Sequence, residues 1–124
     1  MALNIRFVDD VAILSNVGRL MNDPRYVDAA RDVRELLDAG HRRFVIELAG
    51  VAETGATLLG VLMTLTRQIR GQGGEVVLAR VSRALRKFLD EMRMDDFWDV
   101  FEGVDDATAY YRQAADSGPD RRLG

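Results

Sequence analysis

The chain has 124 residues, 48% of them apolar, with a net charge of -3 and no cysteine. A single domain that buries roughly two-thirds of its unfolded surface is expected at this length, and the acidic balance argues against general nucleic-acid binding, which needs a concentrated basic face. Without cysteine there is no disulfide framework and no thiolate metal site.

Taken from the N-terminus, Leu3 to Val8 alternates apolar and polar residues, Asp9-Asp10 offers turn chemistry, and Val11 to Leu14 is apolar. This pattern predicts an antiparallel hairpin. Asp23-Pro24 reads as a helix start, Asp23 capping free N–H groups and Pro24 in the first helical position. Val27, Ala30, Val33, Leu36 and Leu37 follow helical spacing, and Gly40 closes the segment. Phe44 to Leu48 is short, β-branched and aromatic, and predicts a central strand.

After a loop, Leu58, Leu62, Leu65 and Ile69 mark one face of a second helix, which Gly71-Gln72-Gly73-Gly74 stops. Glu75 to Ala79 predicts another buried strand. Ser82 caps a third helix with the stripe Leu85, Phe88, Leu89 and Met92. Phe97 to Phe101 alternates like a strand, and Val104 to Ala115 carries Ala107, Tyr110, Tyr111 and Ala114 as a last helix. The tail Ser117 to Gly124 has no apolar periodicity, so a domain over 1–116 and a disordered tail over 117–124 are expected. Strands alternating with helices give an α/β domain: a mixed, mostly parallel sheet of four or five strands with an N-terminal hairpin and about four α-helices.

The candidate chemistry narrows quickly. His41 is the single histidine and falls in a predicted loop, so neither a His-based metal site nor a Ser-His-Asp arrangement has support. The Gly71 to Gly74 cluster follows a helix and precedes a strand, the reverse of the order that presents N–H groups to phosphate. The pairs Asp9-Asp10, Asp95-Asp96 and Asp105-Asp106 fall at turns and helix starts, where carboxylates stabilise free N–H groups. Trp98, Phe97 and Phe101 read as core. The sixteen arginines and Lys87 are spread among acidic residues as solvated helix faces. No catalytic residue, cofactor or metal is expected, and the protein is read as a non-enzyme.

What remains is the entry to the second helix, with Thr54 and Thr57. A hydroxyl there has two readings. It can cap the helix, or it can accept a phosphate, whose roughly two negative charges suit the positive end of a helix and change what a partner meets.

The order of these phrases resembles a STAS domain of the bacterial anti-sigma factor antagonist type, from about Leu3 to Tyr111. The family has a hydrophobic strand, a phrase like Leu-Ser-Gly-Val, three residues, Asp-Ser-Ser-Gly-Leu-Gly and an apolar helix. Leu48-Ala49-Gly50-Val51 matches the phrase and Leu59-Gly60-Val61-Leu62 the helix start. Gly55 then falls on the family's Asp, Ala56 on its first Ser, Thr57 on the phosphorylated hydroxyl and Leu58 on its Gly. Val17-Gly18-Arg19-Leu20 and Gly73-Gly74-Glu75-Val76-Val77-Leu78 resemble two further family phrases, and Ser82 to Met94 with Phe97 to Phe101 resembles the third helix and the segment after it.

The resemblance implies partner switching. The unphosphorylated domain binds an anti-sigma factor that is often a serine/threonine kinase, phosphorylation breaks the complex, and a phosphatase restores it. It implies Thr57 as acceptor, with Thr54 as the alternative, and a docking segment of Glu53, Thr54, Gly55, Ala56, Thr57, Leu58 and Gly60. A scaffold role without the switch, in a stress-sensing complex or as a lipid-transporter subunit, is the competing implication. Nucleotide binding, sometimes linked to such domains, has no phosphate loop or base to support it here. Met1 to Arg6 lacks a signal-peptide pattern and no apolar run approaches the roughly 20 residues of a membrane span, so a cytoplasmic location is expected.

Overall fold

The computed structural model of the chain describes residues 3–20, 26–51 and 55–117. Strand β1 (Asn4–Val8) pairs antiparallel with β2 (Val11–Ser15), from Asn4 opposite Ser15 to Val8 opposite Val11. Asp9 turns the hairpin at φ 54°, a left-handed conformation that Asp tolerates better than most residues. Its carboxylate accepts a 3.0 Å bond from Arg112, and Asp10 lies 3.7 Å from Arg43, so both turn carboxylates have structural partners.

Strands β3 (Arg43–Glu47), β4 (Glu75–Ala79) and β5 (Val100–Phe101) add in parallel, giving the order β1-β2-β3-β4-β5. The connections are a short 3-10 helix (Val17–Leu20) with α1 (Tyr26–Asp38), then α2 (Ala56–Gly71), α3 (Arg83–Glu91) and, after β5, α4 (Val104–Ser117). The mixed sheet, its hairpin and its four α-helices are those the sequence predicts.

Side chains alternate across the strands, so the sheet has two dry faces. Ala12, Leu14, Phe44, Ile46, Val76 and Leu78 face α1, α2 and α3, where Val33, Leu62, Leu65, Ile69, Leu85 and Leu89 meet them. Val11, Ile13, Val45, Val77 and Ala79 face α4 through Val104, Ala107 and Tyr111. Tyr111 crosses to the sheet, its hydroxyl donating to Phe44 O at 2.9 Å, and burial pushes the phenol's pKa above the ordinary tyrosine range.

The helix ends explain the glycines. At the end of α1, Gly40 has φ +100° while its N–H bonds to Leu37 O and that of His41 to Leu36 O. At the end of α2, Gly73 has φ +82°, with Gly73 N–H on Arg70 O and Gly74 N–H on Ile69 O. Both are Schellman closures. Gly74 is tied by space instead: a Cβ there would lie 2.9 Å from Ile69 Cγ2 and 3.0 Å from Arg42 O. Gly74→Ala is expected to cost about 1–3 kcal/mol in urea unfolding, because a backbone oxygen must move to admit the methyl.

The structure departs from expectation in several places. The alternating segment Phe97 to Phe101 forms a strand only at Val100 and Phe101, because the Phe97 N–H closes a turn on Met94 O. Trp98 is core, as expected, 3% exposed with Nε1 donating to Thr66 Oγ1 at 2.9 Å. Ser82 caps α3, accepting from Leu85 N–H at 3.0 Å, but the helix stops at Glu91 and Met92 turns out, 50% exposed. In α1 it is Ala29 that is buried and Ala30 that is half-buried. Asp32 is also buried there and accepts the Leu3 N–H at 3.3 Å. Helix α4 runs through Ser117, two residues past its expected end at Ala115. The predicted cap at Asp23-Pro24 and residues 118–124 lie outside the described residues.

Candidate functional site

The second-helix entry is built by the end of β3. Beyond Glu47 the backbone stays on the sheet for one more residue, Leu48 N–H bonding to Ala79 O at 2.9 Å. It then turns through Ala49 and Gly50, with Val51 N–H on Leu48 O at 3.1 Å. Gly50 sits at φ +78° in the third position of that turn, where glycine is favoured. Val51 is buried, and a Cβ on Gly18 would lie only 3.1 Å from its Cγ2. Two phrases far apart in the chain, Val17 to Leu20 and Leu48 to Val51, therefore meet beneath the loop.

Glu53 and Thr54 lie outside the described residues. Helix α2 begins after Gly55, whose φ of 122° and ψ of -176° belong to a region that residues with a side chain avoid. This gives a physical reason for glycine where the family places Asp. The capping expectation for Thr57 is overturned: Gly55 occupies the N-cap with no side-chain bond, and Thr57 is the second helical residue. Thr57 is exposed, and among the described residues its hydroxyl makes no hydrogen bond. No acidic residue stands in this first turn, where added negative charge would be favoured.

The other candidates divide by exposure. Ala56 and Gly60 share the exposed surface with Thr57, and nothing lies within 4 Å of a Cβ placed on Gly60. Leu58 does not share it, being 1% exposed and part of the main core. Its side chain anchors the helix start and cannot be offered to a partner. The exposed strip continues along α2 with Thr64, whose hydroxyl donates to Gly60 O at 2.8 Å, and Arg67, flanked by half-buried Val61 and Met63.

A polar cluster beside the start of α4 escapes sequence reasoning. Glu47 accepts from Ser15 Oγ at 3.1 Å and lies 3.8 Å from Arg6 and 3.9 Å from Arg80. The one available signal was a carboxylate closing an otherwise apolar strand. His41, at the opposite edge of the sheet, stacks on Phe7 with ring centroids 4.8 Å apart, so it is a packed loop residue rather than a fully solvated one. Among the described residues, no group of three or more His, Asp or Glu is placed to hold a metal ion, and no helix is long and apolar enough to cross a membrane.

With this geometry in place, the similarities to known proteins have a frame. The family model described as "Mlab, STAS domain" matches residues 26–102, more than half of the chain. The chain belongs to this STAS-domain family. Among solved structures it is similar to a Thermotoga maritima protein named for anti-sigma factor antagonism, at 20% identity and TM-score 0.72 over 89% of this chain and 94% of that one. It is similar to a component of the stressosome, at 17% identity and TM-score 0.77, covering 90% and 98%. The Bacillus anti-sigma factor antagonist SpoIIAA in its unphosphorylated form gives 12% identity and TM-score 0.70, covering 90% and 97%. At these identities the structural likeness speaks for the fold. No curated protein matches the sequence.

Proposed function

We propose that this protein is a non-enzymatic anti-sigma factor antagonist, switched by phosphorylation of Thr57. The observation that carries the reading is an exposed threonine hydroxyl, with no hydrogen bond among the described residues, in the first turn of α2, where the helix end favours added negative charge. Ala56, Thr57 and Gly60 form an open, small-residue surface on which a kinase-type anti-sigma factor docks. Phosphate on Thr57 leaves the helix intact and places charge in that contact, so the partner departs and a phosphatase resets the system. Glu53, Thr54 and Gly55 complete the docking segment, Thr54 being the alternative acceptor. The protein acts in the cytoplasm, through proteins and without a cofactor.

A scaffold role without the switch is the second reading, favoured by the φ of Gly55, which excludes an Asp side chain that a kinase would otherwise read. The likeness to a stressosome component points the same way. The test incubates the protein with candidate anti-sigma kinases of the host and ATP and maps phosphate by mass spectrometry. The switch predicts modification at Thr57 and its loss in Thr57→Ala. An unmodified protein that co-purifies with sensor or transporter subunits and no anti-sigma factor would decide for the scaffold.

A further inference from the structure

The two edges of the sheet are finished differently. Strand β5 closes one edge with Val100 and Phe101 alone, too short to offer a second strand much pairing. Strand β1 closes the other at the full length of β2, β3 and β4, with no proline and an unbroken register that leaves no room for a bulge. The only charged side chain on it is Arg6, which lies 3.8 Å from Glu47 of its own chain.

The register fixes which backbone groups of β1 face outward. Val8 and Val11 flank the two-residue turn Asp9-Asp10 as its hydrogen-bonded closing pair, so Asn4 and Arg6 also bond inward to β2. The N–H and C=O groups of Ile5 and Phe7 therefore point away from the sheet, and among the described residues no backbone group meets them. Phe7 is also the most exposed apolar side chain of the strand, at 48%, its ring stacked on His41. An open backbone position and an exposed aromatic ring fall on one residue.

We infer that β1 pairs antiparallel with β1 of a second copy of this chain, about a two-fold axis at Phe7. An axis normal to the sheet keeps each face on its own side, so opposed residues must share a face. Ile5 and Phe7 lie on the face of α1, opposite Leu14 and Ala12, and Arg6 and Val8 on the face of α4, opposite Ile13 and Val11. The candidate centres are Ile5, Arg6 and Phe7. An axis at Arg6 sets two guanidinium groups directly opposite each other, which is unfavourable. An axis at Ile5 brings Phe7 opposite Leu3, which is buried and has given its N–H to Asp32.

An axis at Phe7 avoids both faults. The two Phe7 residues exchange two N–H···O bonds and lay their rings side by side on one face. Each Arg6 then lies opposite Val8 of the other copy and next to its turn, where the carboxylates of Asp9 and Asp10 are exposed, so the charges complement each other twice. The pair is closed as well. It consumes both β1 edges and leaves only the short β5 edges, so growth stops at two copies. Helix α2 joins β3 to β4, away from β1, so both Thr57 entries stay open, on one face and at opposite ends of the joined sheet. The inference goes beyond the phosphorylation reading and does not depend on it.

The test follows amide hydrogen exchange of the isotope-labelled full chain, with sedimentation equilibrium, between about 5 and about 500 µM protein. The mass is expected to rise from 13.9 kDa toward twice that value. Exchange at the Phe7 amide should slow at least roughly tenfold over the same range, while exposed loop amides such as that of Glu102 keep their rates. Phe7→Pro removes the outward donor, which an edge strand of the single copy tolerates, and should hold the mass at 13.9 kDa. Phe7→Ala keeps the donor but loses the ring, and should weaken association roughly tenfold. A mass fixed at 13.9 kDa throughout, a dimer whose Phe7 amide exchanges as fast as in the dilute chain, or a Phe7→Pro chain that associates like the parent would overturn the inference. The exchange readout uses the parent chain, so it decides even where a variant unfolds, and it involves no kinase and no chemistry at Thr57.

Discussion

Thr57→Glu is expected to weaken binding to the cognate anti-sigma factor at least roughly 100-fold, about 2.7 kcal/mol, in titration calorimetry. The carboxylate would replace the exposed Thr57 hydroxyl beside Ala56 and Gly60, and would have to shed water against a surface shaped for small residues. The same charge suits the first turn of α2, contributing about 0.3–1 kcal/mol to the free protein. Binding should therefore collapse while the melting temperature holds or rises, a combination that unfolding cannot produce. Thr57→Ala should bind like the parent. Full binding by Thr57→Glu would reject the switch.

Leu58→Ala, one residue on, is expected to behave in the opposite way. Leu58 is fully buried among the residues that join α2 to the sheet, so truncation leaves a cavity as well as losing apolar contact. The loss should be about 2–5 kcal/mol in denaturant unfolding. At the low end the helix start loosens and Thr57 binding suffers indirectly; at the high end a domain of this size approaches its stability limit. A loss under about 1 kcal/mol would show that the first turn of α2 is not anchored as described. Adjacent residues thus separate a surface effect from a core effect.

Much of this architecture was legible because its elements satisfy local and global demands together. The stripe Leu58, Leu62, Leu65 and Ile69 is buried at every position, and β4 spans the predicted Glu75–Ala79. Ser82 caps as its chemistry suggests. Reading failed where tertiary contacts overrule spacing. Trp98 alternates with its neighbours like a strand residue, yet its indole is drawn to Thr66 and the backbone before it closes a turn. Met92 keeps the helical interval of Leu85 and Leu89, but α3 has already ended there, and Arg93 takes φ 58° in its closing turn.

The place of Thr57 in the chain was more legible than the backbone around it. Family spacing puts Thr57 at the helix entry, and the structure keeps it there with an exposed hydroxyl. Spacing placed Leu58 on the inward stripe, but it cannot report that Gly55 adopts a conformation closed to side chains. Nor could it bring Arg6, Ser15 and Arg80 around Glu47, residues from four separate segments.

The bond between Trp98 and Thr66 has an optical consequence. Trp98 is the only tryptophan in the chain, and its indole N–H is held by the helix whose second residue is Thr57. Its emission therefore watches α2 from the inside, about 13 Å along the helix from Thr57. An event that occupies only the surface of the first turn would leave that fluorescence unchanged, whereas one that slides or frays α2 would break the indole bond and shift the spectrum. The molecule carries an unlabelled gauge that distinguishes contact from conformational change.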